Sequence, residues 1–102
     1  MRTAKIKIYQ IKYVGCKYAY MDYEYSMSHG FNLDDYEVVA EFSREVYEPN
    51  WRILETIFDL GNKGYIQAVC NDEFMHSISV SDIIELDGVK YYVDSFGFKE
   101  MK

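Results

Sequence analysis

The chain is short of nearly every residue that marks a specialised small protein. Of its 102 residues one is proline and six are glycine, too few for a long linker or a low-complexity segment. Cysteine occurs only at positions 16 and 70, with no CxxC pair and no histidine at ligand spacing, which excludes a zinc ribbon. The two would pair only if the fold brought them together, and reduced cytosolic thiols are expected. No run approaches the about 20 apolar residues that span a bilayer. The opening MRTAKIKIYQIKYVG is basic but has no unbroken apolar core, unlike a secretory signal. A cytoplasmic protein is expected. The glycines, at 15, 30, 61, 64, 88 and 97, form neither GxGxxG nor GxxxxGK, so no phosphate-cradling loop is encoded.

Aromatic and acidic residues are abundant instead. Aromatics make up 18% of the chain, and 11 of them are tyrosine. A chain of this length buries a core without metal or disulfide, and residues 1–102 read as a single domain. The net charge of −6 is unevenly placed. Residues 1–19 carry five bases and no acid, residues 20–60 ten acids and two bases, and residues 61–102 seven acids and four bases. An acidic segment repels phosphates and attracts basic protein surfaces. A solvated face that keeps the protein soluble has the same composition.

The hydrophobic pattern reads as mixed α and β. Residues 4–14, AKIKIYQIKYV, alternate with Ile6 and Ile8 on one face, then slip after Tyr9 and Gln10 so that Ile11 and Tyr13 become the apolar pair, which predicts a β-bulge. A turn near Gly15–Lys17 and a returning strand at 18–25, with Ala19, Met21, Tyr23 and Tyr25 on one face, complete an expected first hairpin. In the following loop Asn32 or Asp34 can open a short helical turn. Residues 36–47 form the cleanest strand, with Tyr36, Val38, Ala40 and Phe42 inward and Glu37, Glu41, Ser43 and Glu45 outward, three carboxylates on one exposed face. Residues 50–60 predict a helix, capped by Asn50 after Pro49, with Trp51, Leu54, Ile57 and Phe58 as its packed stripe and Gly61 and Asn62 ending it. Residues 65–70 read as a short strand or extended connector. Asp87-Gly88 between two β-rich runs, roughly 83–86 and 89–94, is a strong type I′ hairpin signal, and Gly97 between Phe96 and Phe98 predicts a bend into a last short strand. The expected fold is α+β: a twisted, mainly antiparallel sheet of about five or six strands with one packed helix.

Tests for chemistry return little. His76, Ser79 and Asp82 have the residue types of a triad but no GxSxG elbow, and on a strand they alternate and face apart. Ser77, Ser79 and Ser81 are expected to face solvent opposite Ile78 and Val80. Nothing near Cys70 and His76 lowers a thiol pKa. Asp34 with Asp35, or Asp72 with Glu73, are adjacent carboxylates outside any DxDxDG loop. No cofactor, metal or catalytic residue is expected, and the protein is read as a non-enzyme. Lysines of the first strand with Tyr9 and Tyr13 resemble a single-strand platform, but the acidic remainder opposes direct nucleic-acid binding. Surplus tyrosines suit a protein interface, and an unpaired edge strand with exposed Tyr would support a homodimer.

The C-terminal stretch HSISVSDIIELDGVKYYVDSFGFKEM, residues 76–101, resembles the signature of the YodL-like domain family, through Ser77, Ser79, Val80, Asp82, Ile83, Asp87, Gly88, Tyr91, Tyr92, Ser95, Gly97, Phe98 and Lys99. KIKIYQI (5–11), AYMDYE (19–24) and the helix in VYEPNWRILETIF (46–58) are similar to the family as well; GNKGYIQAVCNDEFM (61–75) departs from it. The resemblance implies a small protein of phages or mobile elements. Some stand-alone members look like anti-CRISPR proteins that bind a type II RNA-guided effector nuclease. It implies no catalytic residue, and Ser-Val-Ser-Asp fits a structural role, with Asp82 bonding backbone groups where the strand begins. An acidic sheet face would compete for the nuclease's basic channels. Glu37, Glu41 and Glu45, with Asp34, Asp35 and Glu48 at the ends, are the expected partner-binding residues. A regulatory module binding another host protein is the alternative.

Overall fold

The computed structural model describes residues 2–12, 16–64 and 75–101. Five strands, β1 (Arg2–Ile11), β2 (Tyr36–Val46), β3 (Ile83–Leu86), β4 (Val89–Val93) and β5 (Phe98–Glu100), form one sheet in the order β2-β1-β3-β4-β5. Every pairing is antiparallel. Helix α1 (Tyr23–Ser28) and helix α2 (Asn50–Asn62) complete the α+β architecture. The candidate strand at 65–70, Tyr13, Cys70, Asp72 and Glu73 lie outside the described residues.

β1 is buried on both sides in different ways. Ala4, Ile6, Ile8 and Gln10 alternate without interruption on one face, where the aliphatic core gathers Val39, Ala40, Ile84, Leu86 and Val93 beneath α2. Tyr9 and Ile11 point to the other face, against Tyr18, Tyr36, Ile83 and Tyr92. The slip expected in β1 is therefore a change of apolar load between two covered faces. The bulge sits across the ladder, on β2. Ile8 pairs with Ala40 and Tyr9 with Val38, so Val39 is the extra residue. Val39 and Ala40 are both buried while Val38 is 46% exposed, which corrects the expected inward set of Tyr36, Val38, Ala40 and Phe42.

No strand returns at residues 18–25. Residues 17–20 turn, with Tyr20 at φ 65°, and α1 follows. Asp22 accepts a bond from the Tyr25 N–H at 2.8 Å and caps the helix, a local side-chain bond that outcompetes the strand pattern. Asn32 caps a single 3-10 turn at Leu33–Asp35 as expected. β1 thus pairs with β2, the strand after this connection.

α2 starts where expected, but its N-cap is Pro49, which makes no side-chain capping bond. Asn50 Oδ1 accepts from the Arg2 guanidinium at 2.7 Å. The buried stripe is Ile53, Leu54, Ile57 and Gly61, and Trp51 is 59% exposed. Gly61 explains the rotation: a Cβ there would sit 2.4 Å from Ile78 Cδ1, so the helix presents its smallest residue where it approaches that chain segment. Gly61 is a packing glycine inside the helix, not its stop.

The second hairpin forms as predicted. Asp87 at φ 51° and Gly88 at φ 87° give the positive pair that a type I′ turn requires, and Gly97 at φ 78° bends the chain into β5.

Candidate protein-binding surface

α2 covers one face of the sheet. Among the described residues, the other face is covered only at one end, by the aromatic residues that precede β2 together with Tyr92. Beyond Tyr9 no described residue covers it, and register places a row of alternating charge across it: Glu41 opposite Lys7, Lys7 opposite Glu85, Glu85 opposite Lys90. Lys7 Nζ stands 3.6 Å from Glu41 and Lys90 Nζ 3.3 Å from Glu85. Tyr9 donates to Glu85 at 2.8 Å, and Lys90 Nζ lies 5.8 Å from the Tyr9 ring centre. Burial, then the Glu85 carboxylate, push the Tyr9 hydroxyl up to about 12. Burial alone would raise Glu85, but the Tyr9 and Lys90 bonds outweigh it and hold the carboxyl below its usual range. The row is a mixed-charge platform, and Lys5 and Lys7 sit beside Glu41, Ser43, Glu85 and Asp87 in the shallow groove along it.

The expected acidic face is only partly assembled. Residues directly opposite in an antiparallel pair share a face. Glu41 opposes Lys7 and Glu45 opposes Thr3, on the open face, whereas Glu37 opposes Gln10, on the helix-covered side. The Val39 bulge sends Glu37 across the sheet, so three aligned carboxylates become two. Glu37, Glu41, Glu45 and Asp34 are exposed, and Glu48 is half-buried beyond the strand. Asp34 passes its main-chain carbonyl to Lys12 Nζ at 2.9 Å. The Asp35 carboxylate accepts from the Tyr18 hydroxyl, which ties it to the aromatic layer.

The polar residues tested for catalysis converge on a structural knot. The buried Asp82 carboxylate accepts from the Ser79 N–H at 2.9 Å and from Gln10 Nε2 at 3.1 Å. Gln10 Nε2 also donates to the His76 carbonyl at 2.9 Å. The Ser79 hydroxyl donates to the Ser77 carbonyl at 3.3 Å. Ser81, expected in solvent, is 2% exposed at φ 85°; its hydroxyl oxygen accepts from the Tyr20 N–H at 2.9 Å and its carbonyl from the Tyr36 hydroxyl at 2.6 Å. The Ser-Val-Ser-Asp run thus joins β1, the aromatic layer and the start of β3. Among the described residues no group of three or more His, Cys, Asp or Glu is placed to hold a metal, and no helix is long and apolar enough to cross a membrane. Cys16 is a free, buried thiol.

A second surface escapes the sequence reading. Phe96 is 96% exposed at the tip between β4 and β5, beside a groove lined by Asp22, Tyr23, Glu24, Asp94 and Lys99. Asp94 Oδ1 accepts from the Tyr23 and Ser95 N–H groups at 3.1 and 2.8 Å, joining the two chain segments. Phe96 and Phe98 flank Gly97 alike in sequence, yet only Phe98 packs inward, 6.2 Å from the Phe58 ring. No local signal separates them.

A small antiparallel α+β domain with surface charge rows and an interior polar knot is the class these features define. The family model of the YodL-like domain matches residues 5–102, and the chain belongs to that family. No curated protein and no solved structure matches it.

Proposed function

We propose that the chain is an anti-defence protein of a phage or mobile element, acting in the bacterial cytoplasm by binding a type II RNA-guided effector nuclease and carrying out no chemistry of its own. The observation that carries this reading is the outer row of β2. Glu41 and Glu45 stand exposed on the open face of a strand at the sheet's edge. Such nucleases hold guide and target in basic channels, and accessible carboxylates attract and steer a basic surface. The Lys7 partner leaves 67% of the Glu41 side chain in solvent; an exposed pair of this kind is weak, and the carboxylate stays available.

DNA cleavage by a panel of guide-loaded type II nucleases, with and without the protein, tests the target, with co-elution as the second readout. Inhibition with co-elution is the expected result, weakening as salt rises. The double reversal Glu41→Lys/Glu45→Lys is expected to weaken inhibition by roughly tenfold or more. Inhibition unchanged by that reversal removes β2 from the contact, and no inhibition across the panel removes the nuclease as target. Phe96 favours a second reading, an interaction module for another host protein, because an exposed aromatic rimmed by Asp22, Glu24 and Asp94 suits an apolar anchor point. Phe96→Ala lowering co-elution while Glu41→Lys/Glu45→Lys does not would select it.

A further inference from the structure

The main chain of β2 has a direction that the pairing pattern reveals. The Asp87 N–H donates to the Lys5 carbonyl at 2.9 Å, and the Lys5 N–H donates to Asp87 Oδ1 at 2.8 Å. Lys5 therefore turns its backbone toward β3. Successive residues of a strand turn theirs to opposite sides, so Ala4, Ile6 and Ile8 face β2. The Lys12 N–H, which reaches the Asp35 carbonyl at 2.9 Å, keeps the same parity. Their partners Arg44, Phe42 and Ala40 face back toward β1. Glu41, Ser43 and Glu45 consequently aim their N–H and C=O groups away from the sheet. No described strand pairs with that side.

We propose that this edge accepts an added strand from a partner protein, an extended segment rich in lysine or arginine. The proposal rests on the protein-binding reading above and gives the form of the contact. Main-chain bonds to the residues 41, 43 and 45 supply the pairing, as in strand addition to other open edges. Side chains directly opposite on neighbouring strands stand about 4.5–5.5 Å apart, so the residues facing Glu41 and Glu45 are the ones that charge selects. The same argument opposes a second copy of this chain. An antiparallel self-pairing centred on Ser43 sets each Glu41 against Glu45 of the copy, like charges that destabilise the ladder. Edge carboxylates thus block self-association while leaving the edge open to a basic strand.

Amide hydrogen exchange of the whole chain, read by NMR, tests this with two probes: a blocked peptide alternating lysine and threonine, and its glutamate–threonine counterpart. The lysine peptide is expected to slow exchange at Glu41, Ser43 and Glu45 by roughly tenfold or more, leave Phe42 and Arg44 unchanged because β1 already holds them, and the acidic peptide is expected to do nothing. Ser43→Pro removes one outward N–H without touching the β1 ladder; it is expected to abolish the protection, and Ser43→Ala to preserve it. No slowing at the three amides overturns the proposal. If the lysine peptide perturbs Glu41 and Glu45 side-chain signals without such slowing, the contact is through side chains and the protein-binding reading stands alone. Equal protection by both peptides overturns the charge selection, and protection that grows with protein concentration in the absence of peptide assigns the edge to a second copy. Protection by the lysine peptide without nuclease inhibition leaves the strand addition intact and removes only the target.

Discussion

The two faces of the sheet are packed by different chemistry. Under α2 the core is aliphatic: Ile6, Ile8, Ile53, Leu54, Ile57, Ile84 and Leu86 are each 2% exposed or less and need no hydrogen bond. Across the sheet the core is aromatic, and each buried tyrosine is tied at its hydroxyl. Tyr18 donates to the Asp35 carboxylate and accepts from the Asn32 N–H at 3.2 Å, Tyr36 donates to the Ser81 carbonyl at 2.6 Å and Tyr92 to the Met21 carbonyl at 2.7 Å. None of these partners belongs to a strand or an α-helix. A helix satisfies its own backbone, so apolar surface is enough to dock it. The connection over 16–35 is mostly irregular, and the tyrosines bring it both the apolar area and the bonds. Burial pushes all three hydroxyls upward, Tyr92 to about 12, so they remain donors at physiological pH.

If the aliphatic side supplies most of the stability, truncating its centre has the largest effect. Ile57→Ala is expected to destabilise by about 2–5 kcal/mol, measured by urea unfolding, because Ile57 is fully buried. A loss below about 1 kcal/mol would transfer that weight to the aromatic side.

The knot between the two layers gives the next effect, through pH. Burial raises the Asp82 carboxyl to about 6, against the pull of the Ser79 N–H, His76 and Gln10. An unfolded aspartate titrates near ~3.9. Between those values the folded state holds a proton that the unfolded state has released, so stability falls as pH rises from about 4 to about 6 and is level above. The full swing is about 3 kcal/mol. Glu85 and Asp87, held below their usual range, act oppositely and only below about pH 4.5. Asp82→Asn is expected to flatten the slope in the upper window alone, followed by thermal melts at several pH values. A slope that survives the substitution assigns it to another group.

The smallest effect sharpens the comparison. Tyr36→Phe keeps the ring and loses the bond to Ser81, and is expected to cost about 1–2 kcal/mol. No change in unfolding would mean that the aromatic layer is held by apolar contact, as the aliphatic one is.

What could be read along the chain was whatever a few neighbouring residues decide. Asp87-Gly88 specified its turn because backbone sterics at two adjacent positions leave little choice. The start of α2, the 3-10 turn at Asn32 and the outward Glu41 and Glu45 were legible in the same way. The 18–25 segment misled because alternating aromatics fit a strand, while the bond from the Tyr25 N–H to Asp22 chose a helix. Trp51 and Ile53 could not be ranked for burial from period alone, since the contact of Gly61 with Ile78 sets the rotation of α2.

The candidate surface divides along the same line. Exposure of the β2 acids was written in their alternation, but the Val39 bulge, which parts Glu37 from Glu41 and Glu45, depends on how β1 registers against β2. Lys7 beside Glu41, and Phe96 left in solvent while Phe98 packs, are likewise settled by residues distant in sequence. By itself the sequence determined the α+β class, the hairpin and the charge of the outer strand, because local sterics and periodicity carry them, while the family is carried by the motif over residues 76–101. Only the tertiary structure decided that α2 covers one face while an aromatic layer covers one end of the other, and that no described strand pairs with the outer side of β2. Those outcomes depend on which strands meet, and on how buried polar groups find partners across the fold.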